Sequence, residues 1–255
     1  MHIDPLAEIR TLEVPIDSVE GARLAAPFAT RLEVCHDLSS EGWTPKMDVL
    51  RKCREVVDGT ATTVVSMIRP QLAGASTALE IAAFATTPKL LDASRREIDT
   101  SADAGAHSVA FGMLTLDGHV DIEATSVLCE LARSRGLVCA FLRTFDLLVD
   151  RERGIRDISA LGFTRFISAG VLGWDASVAP LAARVEVLKS GIAIAQREAA
   201  RTGRVAVEVV PAGGVRASNA AEWLRITPHL HASCRRDGQV NGEELELLRQ
   251  AMQRA

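Results

Sequence analysis

The chain predicts an α/β fold, a single-domain (β/α)8 barrel. Strand and helix signals alternate along all 255 residues. Eight such units average about 32 residues each, the length of a βαβ repeat. The first strand-to-helix turn, Val14-Pro15-Ile16-Asp17-Ser18, lacks the glycines that usually open a doubly wound sheet. Apolar residues make up 47% of the chain and aromatic residues 4%, so the core is built from Val, Leu, Ile and Ala. That composition suits parallel strands buried on both faces. No linker or low-complexity stretch divides the chain, and one domain is expected.

The first strand is expected over 9–16, followed by a helix from Ser18, a capping residue with Glu20 in the first turn behind it. A second strand over 30–36 leads through a polar loop to a helix near 44–57, with Pro45 in its first turn. The third strand covers 62–69. An Ala-rich helical region over 78–104 follows, which Pro88 interrupts or restarts. The fourth strand, 107–115, runs into the Asp117-Gly118 turn. Asp121 then caps a helix to Ser134, with Gly136 as its stop.

The fifth strand is expected over 137–145, with a helix near 155–161 closed by Gly162. The sixth covers 163–168 and precedes a helix over 178–202. The seventh, 205–210, ends in Pro211-Ala212-Gly213-Gly214, and a short helix begins near Ser218 or Asn219. The eighth is 229–233, and a last helix covers 243–253.

Several of these apolar strands carry a charge: Glu13, Glu33, Arg69 and Arg143. A charge in a buried strand is costly unless it is paired or reached by water. In a barrel the working face lies at the C-terminal strand ends. The residues expected there are Glu13, Glu33, Cys35, Arg69, Asp117, Arg143, Asp146, Ser168, Gly213, Gly214, His231 and Ser233. Acids and arginines sharing one mouth either hold an anionic or polyhydroxylated ligand or pair with each other inside the barrel. Gly213-Gly214 is either a tight turn or a place where backbone N–H groups approach a phosphate. His229 and His231 share a strand face, and Cys35-His36 offers a thiol and an imidazole of the kind that suits soft metals.

The net charge of -4 argues against a nucleic-acid partner. No apolar run reaches the length of a membrane span, and the first residues, Met1-His2-Ile3-Asp4-Pro5, lack the pattern of a signal peptide. Five scattered cysteines without a CxxC read as reduced thiols, so a cytoplasmic location is expected.

Read together, the strand ends resemble the CutC family of copper homeostasis proteins, which are TIM barrels. The matching segments include Leu12-Glu13-Val14, Leu32-Glu33-Val34-Cys35 with Glu41-Gly42-Trp43-Thr44-Pro45, and Met67-Ile68-Arg69-Pro70. They continue through Phe111 to Asp121, Arg143-Thr144-Phe145-Asp146, Leu161-Gly162-Phe163, Ser168-Ala169-Gly170, Pro211 to Val215, and His231-Ala232-Ser233. The stretch from Leu114 to Asp121 is the most specific.

The resemblance implies copper(I) as cofactor or cargo, with Cys35 as one ligand. The second cysteine of the family's pair is replaced by Pro15, and the loop after Pro70 reads Gln71-Leu72-Ala73-Gly74-Ala75 instead of the family's Arg-Gly-Gly-Asp-Phe. The resemblance also implies a homodimer or higher homo-oligomer. The competing expectation is an enzyme (lyase, isomerase or hydrolase type) or binding protein for a small anionic or sugar-like metabolite. Arg69 and Arg143 would hold that ligand, Glu13, Glu33 or Asp146 would act as acid or base, and His231 would shuttle a proton. A barrel acting as a scaffold through oligomerisation is the third possibility.

Overall fold

In a computed structural model describing residues 10–73 and 78–255, eight parallel strands alternate with helices in a (β/α)8 barrel. The strands are β1 (Thr11–Ile16), β2 (Arg31–Val34), β3 (Thr63–Met67), β4 (Ser108–Phe111), β5 (Val138–Phe141), β6 (Arg165–Ser168), β7 (Glu208–Pro211) and β8 (His229–His231). The helices are α1 (Val19–Ala25), α2 (Met47–Val56), α3 (Ile81–Phe84), α4 (Pro88–Asp103), α5 (Ile122–Ser134), α6 (Arg151–Ala160), α7 (Leu181–Thr202), α8 (Ala220–Leu224) and α9 (Gly242–Arg254). The backbone ladder runs β7-β6-β5-β4-β3-β2-β1-β8. Side chains join β7 to β8 across the remaining seam: the Thr227 hydroxyl donates to the Val209 carbonyl at 3.1 Å, and Glu208 stands 3.9 Å from His229.

Each strand sends alternate residues to two different places, as its two-residue period requires. Leu12, Val14, Ile16, Leu32, Val34, Val64, Val109, Phe141 and Phe166 face outward into one large core between sheet and helices. The intervening residues face the barrel interior. There Val65, Met67, Ala110, Ala140 and Leu142 make an apolar half, while Glu13, Arg31, Glu33, Arg165, Glu208 and His231 make a charged half.

Helix starts follow the chemistry of their caps. The Ser18 and Asp121 side chains accept the backbone N–H of Gly21 and Ala124, as expected. Thr87 caps α4, with Pro88 at its first position, so of the expected interruption or restart the proline makes the restart. Asp150 caps α6, which therefore begins four residues before the expected Ile155. Asp175 caps a short 3-10 turn over Ala176–Val178, and α7 starts only after Pro180. The strands are shorter than their apolar runs, because the residues at their C-terminal ends turn into the loops that build the mouth. Arg143 belongs to a 3-10 turn (Arg143–Leu147) rather than to β5. Val205, 95% exposed, lies outside β7.

A small hairpin after the eighth strand was not foreseen: β9 (Arg235–Arg236) pairs antiparallel with β10 (Gln239–Val240). The expected strand start at Ile9 and the residues Gly74-Ala75 of the third loop lie outside the described residues. No helix among the described residues is long and apolar enough to cross a membrane.

Candidate functional site

The deepest part of the site is an ionic cluster on the charged side of the barrel. Glu13 is fully buried. Its Oε2 takes Arg31 Nε at 3.0 Å and lies 2.8 Å from Arg165 Nη2, and its Oε1 lies 3.0 Å from His231 Nδ1. Burial alone would raise its pKa. Arg165, the His231 hydrogen bond and Arg31 together outweigh burial and hold the carboxyl far below the usual range, so Glu13 is an anion. An anionic acceptor requires the proton on Nδ1 of His231, which turns Nε2 toward Glu33, 3.9 Å from its Oε2. Burial opposes the imidazolium, but the Glu13 hydrogen bond and the two carboxylates win, and the His231 pKa is raised.

Glu33 is in a different position. It is buried, and among the described residues its Oε1 has no hydrogen-bond partner and its ion pair is with His231 rather than an arginine. Burial pushes its pKa up to about 7, against the pull of His231 and with help from the Glu13 charge. Two carboxyls one strand apart are thus split, one locked as an anion and one poised near neutrality, beside a histidine that bridges them. Such a split is how an acid–base pair is made from ordinary groups.

Above this cluster a cavity of about 290 Å³ opens at the C-terminal strand ends. Glu33, Arg69, Arg143, Gly213, Gly214, His231 and Ser233 all line it, as expected from the sequence. Arg69 is 8% exposed, with its guanidinium carbon over Trp43, 4.0 Å from the ring centre. Its Nη1 donates to the carbonyls of Ser40 and Gly42, while its Nη2 is buried with no partner. Arg143 stacks on Trp174 at 4.5 Å and is held by the Asp146 carboxylate at 3.2 Å and the Trp174 carbonyl at 2.7 Å.

Gly213 and Gly214 have φ of +68° and +87°. A Cβ on Gly213 would stand 2.8 Å from that of Ala169, so this turn needs glycine for space as well as for backbone conformation. Arg184 stitches the turn down by donating to the carbonyls of Ala169, Ala212 and Gly213.

Other expected residues lie elsewhere. Asp146 is fully buried and does not line the cavity. It accepts the Ser168 hydroxyl and the Ala169 N–H and pairs with Arg143 and Arg151, so it is a structural knot that positions Arg143. Glu13 likewise acts from beneath the cavity. Asp117 is exposed in its turn and bound to the Thr115 hydroxyl. His229 lies 2.9 Å from the Thr11 hydroxyl and does not line the cavity.

Residues that the strand-by-strand reading missed complete the site. Arg31 and Arg165 clamp Glu13, and Phe84 with Trp174 forms an aromatic wall, their rings nearly parallel at 6.0 Å. Arg216 and Arg235 also line the cavity. Arg235 donates to Asp17 and to the Gly238 carbonyl, and its Nη1 is buried without a partner. The Asp237-Gly238 turn signal was the available clue to the hairpin that carries it.

The arrangement does not fit a copper(I) centre. Cys35 is buried and does not line the cavity, and Pro15 occupies the neighbouring strand position. Burial pushes the Cys35 thiol well up, and Glu33, Asp17 and Glu13 push it further, which opposes the thiolate a soft metal requires. Among the described residues no group of three or more His, Cys, Asp or Glu is placed to hold a metal ion.

Comparison with known proteins agrees with the fold. A sequence profile of the CutC family matches residues 10–235. The family protein CutC of Vibrio parahaemolyticus is 32% identical over 217 residues, covering 85% of this chain and 77% of that protein. The human copper homeostasis protein cutC homolog is 33% identical over 160 residues, 62% of this chain and 54% of its own length. The CutC structure of Streptococcus agalactiae superposes with a TM-score of 0.73 at 22% identity, over 91% of this chain and all of that one. A deoxyribose phosphate aldolase from Aeropyrum pernix superposes at 0.61 with 15% identity, covering 92% and 88%. The two structural likenesses, at 22% and 15% identity, speak to the fold alone.

Proposed function

We propose that this chain, which belongs to the CutC family, binds a small anionic metabolite in its barrel mouth and moves a proton on it with Glu33 and His231. The observation that carries this reading is the mismatch of charge at the cavity wall. Among the described residues four arginines, Arg69, Arg143, Arg216 and Arg235, line it with only Glu33 and Glu41 as acids, and Glu33 is poised near neutrality. Buried guanidinium donors without partners cost stability unless a ligand completes them.

The chemistry follows from the two titrating groups. Ionised Glu33 takes a proton from a carbon or oxygen of the ligand. His231, protonated on both nitrogens, gives its Nε2 proton to the oxygen where negative charge develops, and Glu13 keeps the Nδ1 proton in place. This is proton transfer of an isomerase or lyase type. Its test is calorimetric titration with inorganic phosphate and glycerol 3-phosphate at low ionic strength. Binding that Arg69→Ala weakens at least tenfold is the expected result; no heat from either probe with the folded protein would sink the reading.

Copper homeostasis is the second reading, favoured by family membership and by the human relative's name. A role there without a cysteine pair would run through the anionic ligand and not through a thiolate centre. Anaerobic copper(I) titration discriminates. Tight stoichiometric binding lost in Cys35→Ser would restore the metal centre; weak binding, equal in both proteins, is expected.

A further inference from the structure

The four arginines of the mouth are not spread evenly. Arg69 follows β3 and Arg143 follows β5, whereas Arg216 follows β7 and Arg235 follows β8. In barrel order the two pairs are separated by β1 and β2 on one side and by β6 on the other. Each pair is built alike: one arginine carries a buried terminal nitrogen without a partner, Arg69 Nη2 in the first and Arg235 Nη1 in the second. Nη1 of Arg69 is anchored to the Ser40 and Gly42 carbonyls, and Nε and Nη2 of Arg235 are anchored to the Gly238 carbonyl and Asp17. A guanidinium fixed by such anchors at the cavity wall is a preorganised positive charge for an anion. Glu33, on β2, lies in the gap between the pairs, and His231, on β8, faces it across β1 from the Arg235 side.

We infer that the mouth takes a ligand with an anionic group at each of two ends, such as a phosphorylated hydroxy acid, and presents the middle of its chain to Glu33 and His231. This rests on the anion-binding reading above and adds to it the number and placement of the charges. One anion spans to the Arg69 side and the other to the Arg235 side. The cavity, about 290 Å³, suits a metabolite of this size rather than a polymer. The reacting atom is then internal, flanked by both anions. Neither end is itself the site of proton transfer.

The test compares two probes that differ at one end only: glycerol 3-phosphate, with one anion, and 3-phosphoglycerate, with two. Calorimetry at constant ionic strength should show the two-ended probe binding wild-type protein at least tenfold more tightly. Arg235→Gln and Arg69→Lys should each remove that advantage, bringing 3-phosphoglycerate to the level of glycerol 3-phosphate. Equal affinity of the two probes for the wild-type protein overturns the inference while leaving the anion site standing. Failure of both probes to bind overturns the site and the inference together. The wild-type comparison needs no variant, so it decides the matter even if a substitution fails to fold.

Discussion

Nδ1 of His231 stands 3.0 Å from Oε1 of Glu13, and that bond determines which nitrogen of the ring meets the cavity. Glu13 is itself gripped from β2 and β6, so three strands set the orientation of one imidazole. Replacing Glu13 by Ala leaves Arg31, Arg165 and His231 without their common anion. Breaking such a buried cluster by removing one partner costs about 3–5 kcal/mol. Urea unfolding at pH 7 checks this, with Glu13→Gln expected to lie between the wild type and Glu13→Ala.

Glu33 makes stability depend on pH in an unusual direction. Its folded pKa is raised to about 7, above its unfolded value, so its favourable contribution is complete below the unfolded pKa and lost as pH rises through 7. In Glu33→Gln this loss disappears. The variant should gain stability relative to wild type between pH 5 and pH 8, by about 2–3 kcal/mol. Paired urea titrations at the two pH values measure it, and an unchanged difference would mean that Glu33 is not buried as a poised acid.

Glu13 gives the opposite slope. Its pKa is depressed, so the stability it supplies is present above its unfolded pKa and lost as pH falls toward its folded one. Wild-type protein should therefore lose stability on acidification below about pH 4.5, its carboxyl's ordinary range. In Glu13→Gln the same stretch of the curve should be flatter.

Asp146→Asn should weaken phosphate binding although Asp146 touches no ligand. The amide keeps the volume but turns a donor toward Arg143 or Arg151, and Arg143 loses its 3.2 Å anchor. A stability loss of about 1–3 kcal/mol is expected. A merely structural role would move the melting temperature and leave the affinity of the folded protein for phosphate unchanged.

The two adjacent glycines should differ. At Gly214 a Cβ meets nothing within 4 Å, so Gly214→Ala carries only the backbone penalty of positive φ, about 1 kcal/mol. Gly213→Ala adds the collision with Ala169 and should cost at least about 1 kcal/mol more. Thermal unfolding of both variants compares them directly.

The barrel was legible because its signals are local. Ser18, Thr87-Pro88 and Asp121 announce helix starts within one turn, and each apolar run marks a strand. The mouth residues Glu33, Arg69, Arg143 and His231 were legible because a strand end is also a position in the barrel. The partners were not. Arg165 meets Glu13 only because β6 and β1 curl around a nearly closed cylinder, and nothing near either residue in the chain records that. Arg235 was hidden for another reason: its strand has two residues, too few for any periodicity, and is entered through Cys234 at φ +46°. Asp146 looked like a catalytic acid because sequence places it near the mouth. Its burial beneath Ser168 and Ala169 is a property of packing.

The alternation in β1 has one more consequence. Leu12, Val14 and Ile16 are read by the surrounding helices, and Glu13 and Pro15 by the interior, so a single short strand spells two interleaved messages. The first says how to fold, the second what to hold. Because the letters do not overlap, the inner message can be rewritten without erasing the outer one, provided the ions of Glu13, Arg31, Arg165 and His231 change together. One scaffold can thus carry different interiors.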